Sequence, residues 1–129
     1  MSMELKYLTW TALFTALMWI PYILNVIMVR GLVDAVGYPE NPKPMAAWAQ
    51  RMKCAHYNAV ENLVVFAALV LIANAVGVRG EAIATASAVY FWARVAHFLV
   101  YTFGIPWVRT LAFAVGFVCQ LVVAWQILA

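Results

Sequence analysis

The sequence predicts an all-α fold, a bundle of four transmembrane helices, on three observations. First, 67% of the 129 residues are hydrophobic and only 10% are charged, against roughly 25% charged in a soluble domain. A globule this small leaves much of its surface exposed and cannot hide such a surplus, so the solvent of the remaining side chains is lipid. Second, the charges divide the chain into long apolar stretches: residues 7–29 and 110–129 carry none, 54–78 carry only Glu61, and 82–108 carry only Arg94. Each is near or above the roughly 20 residues that a spanning helix needs. Third, no period-2 alternation of the barrel type occurs, and an open sheet cannot satisfy its backbone groups in lipid.

The first helix is expected at about 5–29. Pro21 lies inside it, removes a backbone donor and clashes with the preceding turn, so a kink is expected near 19–21. The stretch lacks a small-residue cleavage site and is too long for a signal-peptide core, so it is expected to be retained. A loop follows at about 30–44, where Pro39, Pro42 and Pro44 preclude a helix. The second helix is expected at about 45–76, ending before Gly77. Val78-Arg79-Gly80 make a tight turn into the third, at about 81–103. Gly104-Ile105-Pro106 break the chain, and Pro106 suits the first turn of the fourth helix, at about 106–128. No internal repeat is visible, and residues 1–129 read as one domain.

Orientation follows from the Lys and Arg residues near the helix ends. The side holding the first and third loops carries Arg30, Lys43, Arg51, Lys53 and Arg109; the other carries Lys6 and Arg79. This asymmetry predicts a cytoplasmic 30–44 loop and both termini on the non-cytoplasmic side. Trp10, Trp48, Trp107 and Trp125 fall near the span ends, as interfacial anchors do.

A net charge of +3 without a basic stripe gives no expectation of nucleic-acid binding. Cys54 and Cys119 form no CxxC pair and are expected as separate thiols. His56 has no second ligand at metal spacing, so no metal site is expected. Chemistry is instead concentrated in two polar clusters inside spans. In the second, Cys54, Asn58 and Glu61 are spaced four and three apart and share a helix face, while His56 projects from another. In the third, Arg94, His97 and Tyr101 are spaced three and four apart and again share a face. At roughly 1.5 Å per residue, Glu61 and Arg94 are expected on the order of 12–15 Å below the same surface. They are the only opposite charges inside the spans, and pairing them within or between subunits would offset their desolvation. One reading of the clusters is polar glue between helices. The other is a polar cavity open to the cytoplasm, with Arg109 at its mouth, suited to a zwitterionic peptide-like ligand: Arg grips carboxylates and Glu61 receives an ammonium.

On these residues the chain resembles the MAPEG superfamily, the membrane-associated proteins of eicosanoid and glutathione metabolism, over nearly its whole length. The stretch Trp19-Ile20-Pro21-Tyr22-Ile23-Leu24-Asn25 is similar to one in the short bacterial members. Ala55, His56, Asn58 and Glu61 resemble the family pattern Arg-Ala-His/Gln-x-Asn-x-x-Glu. Arg94 to His97 with Tyr101 resemble the Arg-Val-Ala-His-x-x-x-Tyr of its prostaglandin E synthase members, and Pro106 to Thr110 resemble their Pro-Ile-Arg-Ser. Two departures stand out. Cys54 occupies the place of the family's arginine before Ala-His, and the interval from Tyr101 to Arg109 is one residue shorter.

The resemblance implies a homotrimer in a bacterial inner membrane, with glutathione as co-substrate bound between neighbouring subunits near the cytoplasmic face. It implies glutathione contacts at His56, Asn58, Glu61, Arg94 and Tyr101, and His97, aligned with Arg94 and Tyr101, completes the expected set. Arg109 matches the arginine that favours the thiolate, which makes it the expected catalytic residue. The implied partners are membrane lipids and a hydrophobic small-molecule substrate, and the implied activity is that of a transferase or peroxidase acting on hydrophobic electrophiles or lipid hydroperoxides. The alternative implied by the same resemblance is a non-catalytic lipid-binding or scaffold member, which the loss of a cation at Cys54 favours.

Overall fold

A computed structural model describes residues 1–129, and it is all-helical. The helices are α1 (Met3–Leu17), α2 (Trp19–Arg30), α3 (Leu32–Val36), α4 (Ala47–Ala75), α5 (Glu81–Thr102) and α6 (Pro106–Leu128). Four helical stretches are long and apolar enough to cross a membrane: Met3–Arg30, Ala47–Ala75, Glu81–Thr102 and Pro106–Leu128.

The first span is one rod with a break. Pro21 has no N–H to give the Leu17 carbonyl, and its ring crowds that carbonyl. The helix therefore interrupts at Met18, whose N–H tightens onto Thr15 O at 3.3 Å. The break falls one residue before the 19–21 interval named from sequence, because the clash acts on the turn preceding the proline. Within 30–44, expected as a loop, Leu32–Val36 form the short α3. These residues precede the prolines, so nothing in the Pro39–Pro44 pattern reaches them. The return to α4 is tied down by two bonds: Arg30 Nε donates to Lys43 O at 2.7 Å, and Ala46 N donates to Asn25 Oδ1 at 3.0 Å. Asn25 thereby caps the start of α4, which has no side-chain cap of its own.

α5 is the central helix. It packs on α1, α4 and α6, and 44% of its most apolar window is buried, against 22–28% for the other spans. Small residues permit the close approach that helices need in lipid. Ala49, Ala55 and Ala59 are buried on α4, Ala86 and Ala93 on α5, and Gly116 on α6. The apolar core divides into two clusters. One gathers Phe66, Val70, Ile83, Tyr90 and Val123, with Phe66 and Tyr90 stacked at 3.8 Å between centroids. The other gathers Met18, Tyr22, Met52, Ala55 and Phe98 near the loop end of the bundle. Along α4 and α5, Asn62, Arg94 and His97 fall between these clusters, and Asn58 adjoins Ala59 at the edge of the second.

Candidate ligand-binding site

The inter-helix register is set at the loop end of the bundle. Arg51 Nε on α4 donates to Thr102 O, the last residue of α5, at 2.9 Å. From that point two antiparallel helices of equal rise bring Asn58 level with Arg94. Arg94 Nη2 donates to Asn58 Oδ1 at 2.7 Å and lies 3.5 Å from His97 Nδ1. Arg94 and His97 are 3% and 2% exposed, so both are enclosed by the bundle. The shared face read from the spacing of Arg94, His97 and Tyr101 therefore points inward.

The expected partnership of Glu61 with Arg94 is not made within the chain. Glu61 stands one turn deeper than Asn58 and is exposed on the side of the bundle, while the guanidinium turns to the amide level with it. Asn58 is held in turn. Asn62 Nδ2 reaches Asn58 O at 2.9 Å and Asn58 Oδ1 at 3.3 Å, and Gln120 Nε2 on α6 donates to Asn62 O at 3.1 Å. This chain of bonds links α6, α4 and α5 at one depth. Asn62 and Gln120 were not singled out from sequence. Their signal was present: each is a polar side chain in an otherwise apolar run, and Asn62 lies one turn from Asn58.

Toward the loop end the seam opens into a cavity of about 270 Å³, lined by Asn58, His97, Tyr101, Arg109, Thr110 and Phe113. The Arg109 guanidinium lies over the Tyr101 ring, 4.6 Å from its centroid, a cation–π contact that holds it at the cavity wall. Arg94 does not line the cavity; it sits behind Asn58 and His97 and orients them. His56 is elsewhere. Its Nδ1 is 2.7 Å from Tyr22 OH on α2, so it ties α4 to the helix that follows the break at Met18. Of the residues named from sequence, the structure thus gathers Asn58, Arg94, His97, Tyr101 and Arg109, and leaves His56 and Glu61 outside. Cys54 is exposed on α4 and Cys119 is buried on α6.

With the site in view, the comparison with known families is decisive: the model of the MAPEG family matches residues 7–129. The chain belongs to the MAPEG family. No curated protein and no solved structure matches it. As a MAPEG protein it is a membrane-helix protein whose polar seam opens at the end of the bundle where α4 begins and α5 ends. The cavity of this MAPEG chain offers guanidinium, amide, imidazole and phenol groups, chemistry that is able to bind carboxylates and peptide groups and to stabilise a nearby anion.

Proposed function

We propose that this protein is a glutathione-dependent transferase or peroxidase of the inner membrane, acting on hydrophobic electrophiles or lipid hydroperoxides. The observation that carries the reading is the cavity in which Asn58, His97, Tyr101 and Arg109 converge, in a chain of the MAPEG family. Arg109 is the catalytic residue: a thiol has a pKa near 8.5, and a guanidinium beside it favours the nucleophilic thiolate. In the transferase reaction the thiolate sulfur forms a bond to the electrophilic carbon, and the leaving group departs with its electron pair. In the peroxidase reaction two glutathione molecules supply two electrons and become a disulfide, while the hydroperoxide becomes an alcohol and water.

Asn58, His97 and Tyr101 bind the peptide, with Arg94 holding Asn58 and His97 in place. His56 and Glu61 complete the site in a homotrimer: both stand on α4 outside the cavity of their own chain, where a neighbouring subunit can use them. The Lys and Arg asymmetry supports a cavity mouth in the cytoplasm, where glutathione is, with the termini on the opposite side.

Titration of glutathione into the detergent-solubilised protein tests the reading. Binding in the millimolar range or tighter is expected, with turnover of a chromogenic aryl halide or a lipid hydroperoxide; neither heat nor thermal shift at millimolar glutathione would refute it. Arg109→Ala is expected to lower turnover more than affinity, and equal losses would remove Arg109 from the thiolate role. A second reading, a non-catalytic lipid-binding member, is favoured by Cys54. It expects binding of lipid without turnover.

A further inference from the structure

Beside the cavity just described lies a second, of about 160 Å³, at the turn between α5 and α6. It is lined by Arg51, Tyr101, Gly104, Ile105, Pro106 and Arg109. Tyr101 and Arg109 are common to both cavities, so the two adjoin at the cation–π pair. Its walls contain two guanidinium groups and no acidic side chain.

The cradle is built rather than incidental. Gly104 closes α5 with a left-handed φ of 76°, the conformation that lets Ile105 N return to Val100 O at 2.9 Å. A Cβ at Gly104 would meet Arg51 Nε at 3.3 Å, so the guanidinium lies close against bare backbone. Arg51 makes one hydrogen bond within the protein, from Nε to Thr102 O. That bond anchors the guanidinium and leaves both terminal nitrogens, the pair that grips a carboxylate bidentately, without a protein partner.

We infer that Arg51 is the receptor for the glycyl carboxylate of glutathione, a subsite that replaces the cation missing at Cys54. The inference rests on the proposed function and adds the direction in which the peptide lies. With the thiol at Arg109, where the two cavities adjoin, one end of the peptide enters each of them. The γ-glutamyl end is zwitterionic and suits the larger cavity, where Asn58 and His97 supply both donors and acceptors. The glycyl end carries only a carboxylate and suits the cavity whose charged groups are all cationic. Cys54, one turn along α4 from Arg51, is exposed and uncharged, and Lys53 lines neither cavity, so Arg51 is the α4 cation that reaches this site.

The experiment compares glutathione with its ethyl ester at the glycyl carboxylate, by calorimetry on the full chain in detergent. Wild type is expected to bind glutathione roughly 10- to 100-fold more tightly than the ester, the worth of a hydrogen-bonded charge pair. Arg51→Gln is expected to remove that preference by weakening glutathione more than the ester, and Arg51→Lys to keep part of it. A variant that weakens both ligands equally marks Arg51 as a structural tether of α4 to α5 and overturns the subsite. Equal binding of the two ligands by wild type also overturns it, without reliance on the folding of any variant. Wild type that binds neither ligand overturns the glutathione reading itself, an outcome distinct from the other two.

Discussion

At the scale of single residues, the bond between Arg94 and Asn58 is the one whose loss should be felt most. Arg94 is almost fully enclosed and its Nε has no partner, so the guanidinium depends on what its terminal nitrogens reach. Asn58 supplies the shortest of those contacts, 2.7 Å. Removing it strands a buried charge, which costs about 2–3 kcal/mol. Asn58→Ala is therefore expected to lower the thermal unfolding midpoint in detergent, whereas Glu61→Gln, on an exposed side chain, is expected to leave the monomer fold unchanged. Cys54 bears on affinity rather than stability. Restoring the family's cation with Cys54→Arg is expected to raise glutathione affinity by 10-fold or more, about the worth of one charged hydrogen bond. An unchanged affinity would argue that the pocket is not a relic of the family's glutathione site. The faces of these residues were legible in the sequence, because spacings of three and four align side chains on any α-helix. Which partner each face meets was not.

At the scale of elements, the contact between α5 and α6 sets the position of Arg94. Gly116 on α6 faces this contact: a Cβ there would lie 3.6 Å from the Tyr90 ring and 3.7 Å from Arg94 Cδ. Those are ordinary contact distances, so Gly116→Ala is expected to be tolerated, with a gain of up to about 1 kcal/mol in helix propensity. Gly116→Leu has no such room and would force α6 away, costing about 1–3 kcal/mol. Paired melting curves of the two variants check both expectations. The break in the first span has a comparable logic. Pro21 opens it, and His56 on α4 fastens the helix beyond it through Tyr22. The proline was readable as a kink, yet the role of His56 as its strap was not, since the sequence contains nothing that links residues 22 and 56. The short α3 was also missed, because the prolines that forbid helix lie only in the second half of its loop.

At the scale of the whole molecule, most of the surface of the first, second and fourth spans lies outside the bundle. Trp10, Leu13, Val64, Leu71, Phe117 and Leu121 are among the large apolar side chains left exposed. Lipid or other copies of the chain must cover them, since water would penalise each by about 1.5–3 kcal/mol relative to burial. With Glu61 exposed on α4 among such residues, a homotrimer is the arrangement proposed here. Analytical ultracentrifugation in detergent is expected to give three chains per particle, and a strictly monomeric species would leave His56 and Glu61 without a role in the ligand site.

Hydropathy and helical period are local properties, and they sufficed to establish an all-α membrane bundle, its four spans, its proline break and the polar faces of the second and third spans. Family membership followed from motifs lying within single helices. Tertiary structure alone decided the register of α4 against α5, which puts Asn58 rather than Glu61 opposite Arg94. It also decided the strap from Gln120 to Asn62, the diversion of His56 to Tyr22, and the pair of cavities meeting at Tyr101 and Arg109. The physical reason is that axial offset and rotation between helices are set by how small residues such as Ala59, Ala93 and Gly116 let neighbouring backbones settle. That fit belongs to pairs of helices and is not contained in the pattern of any one of them.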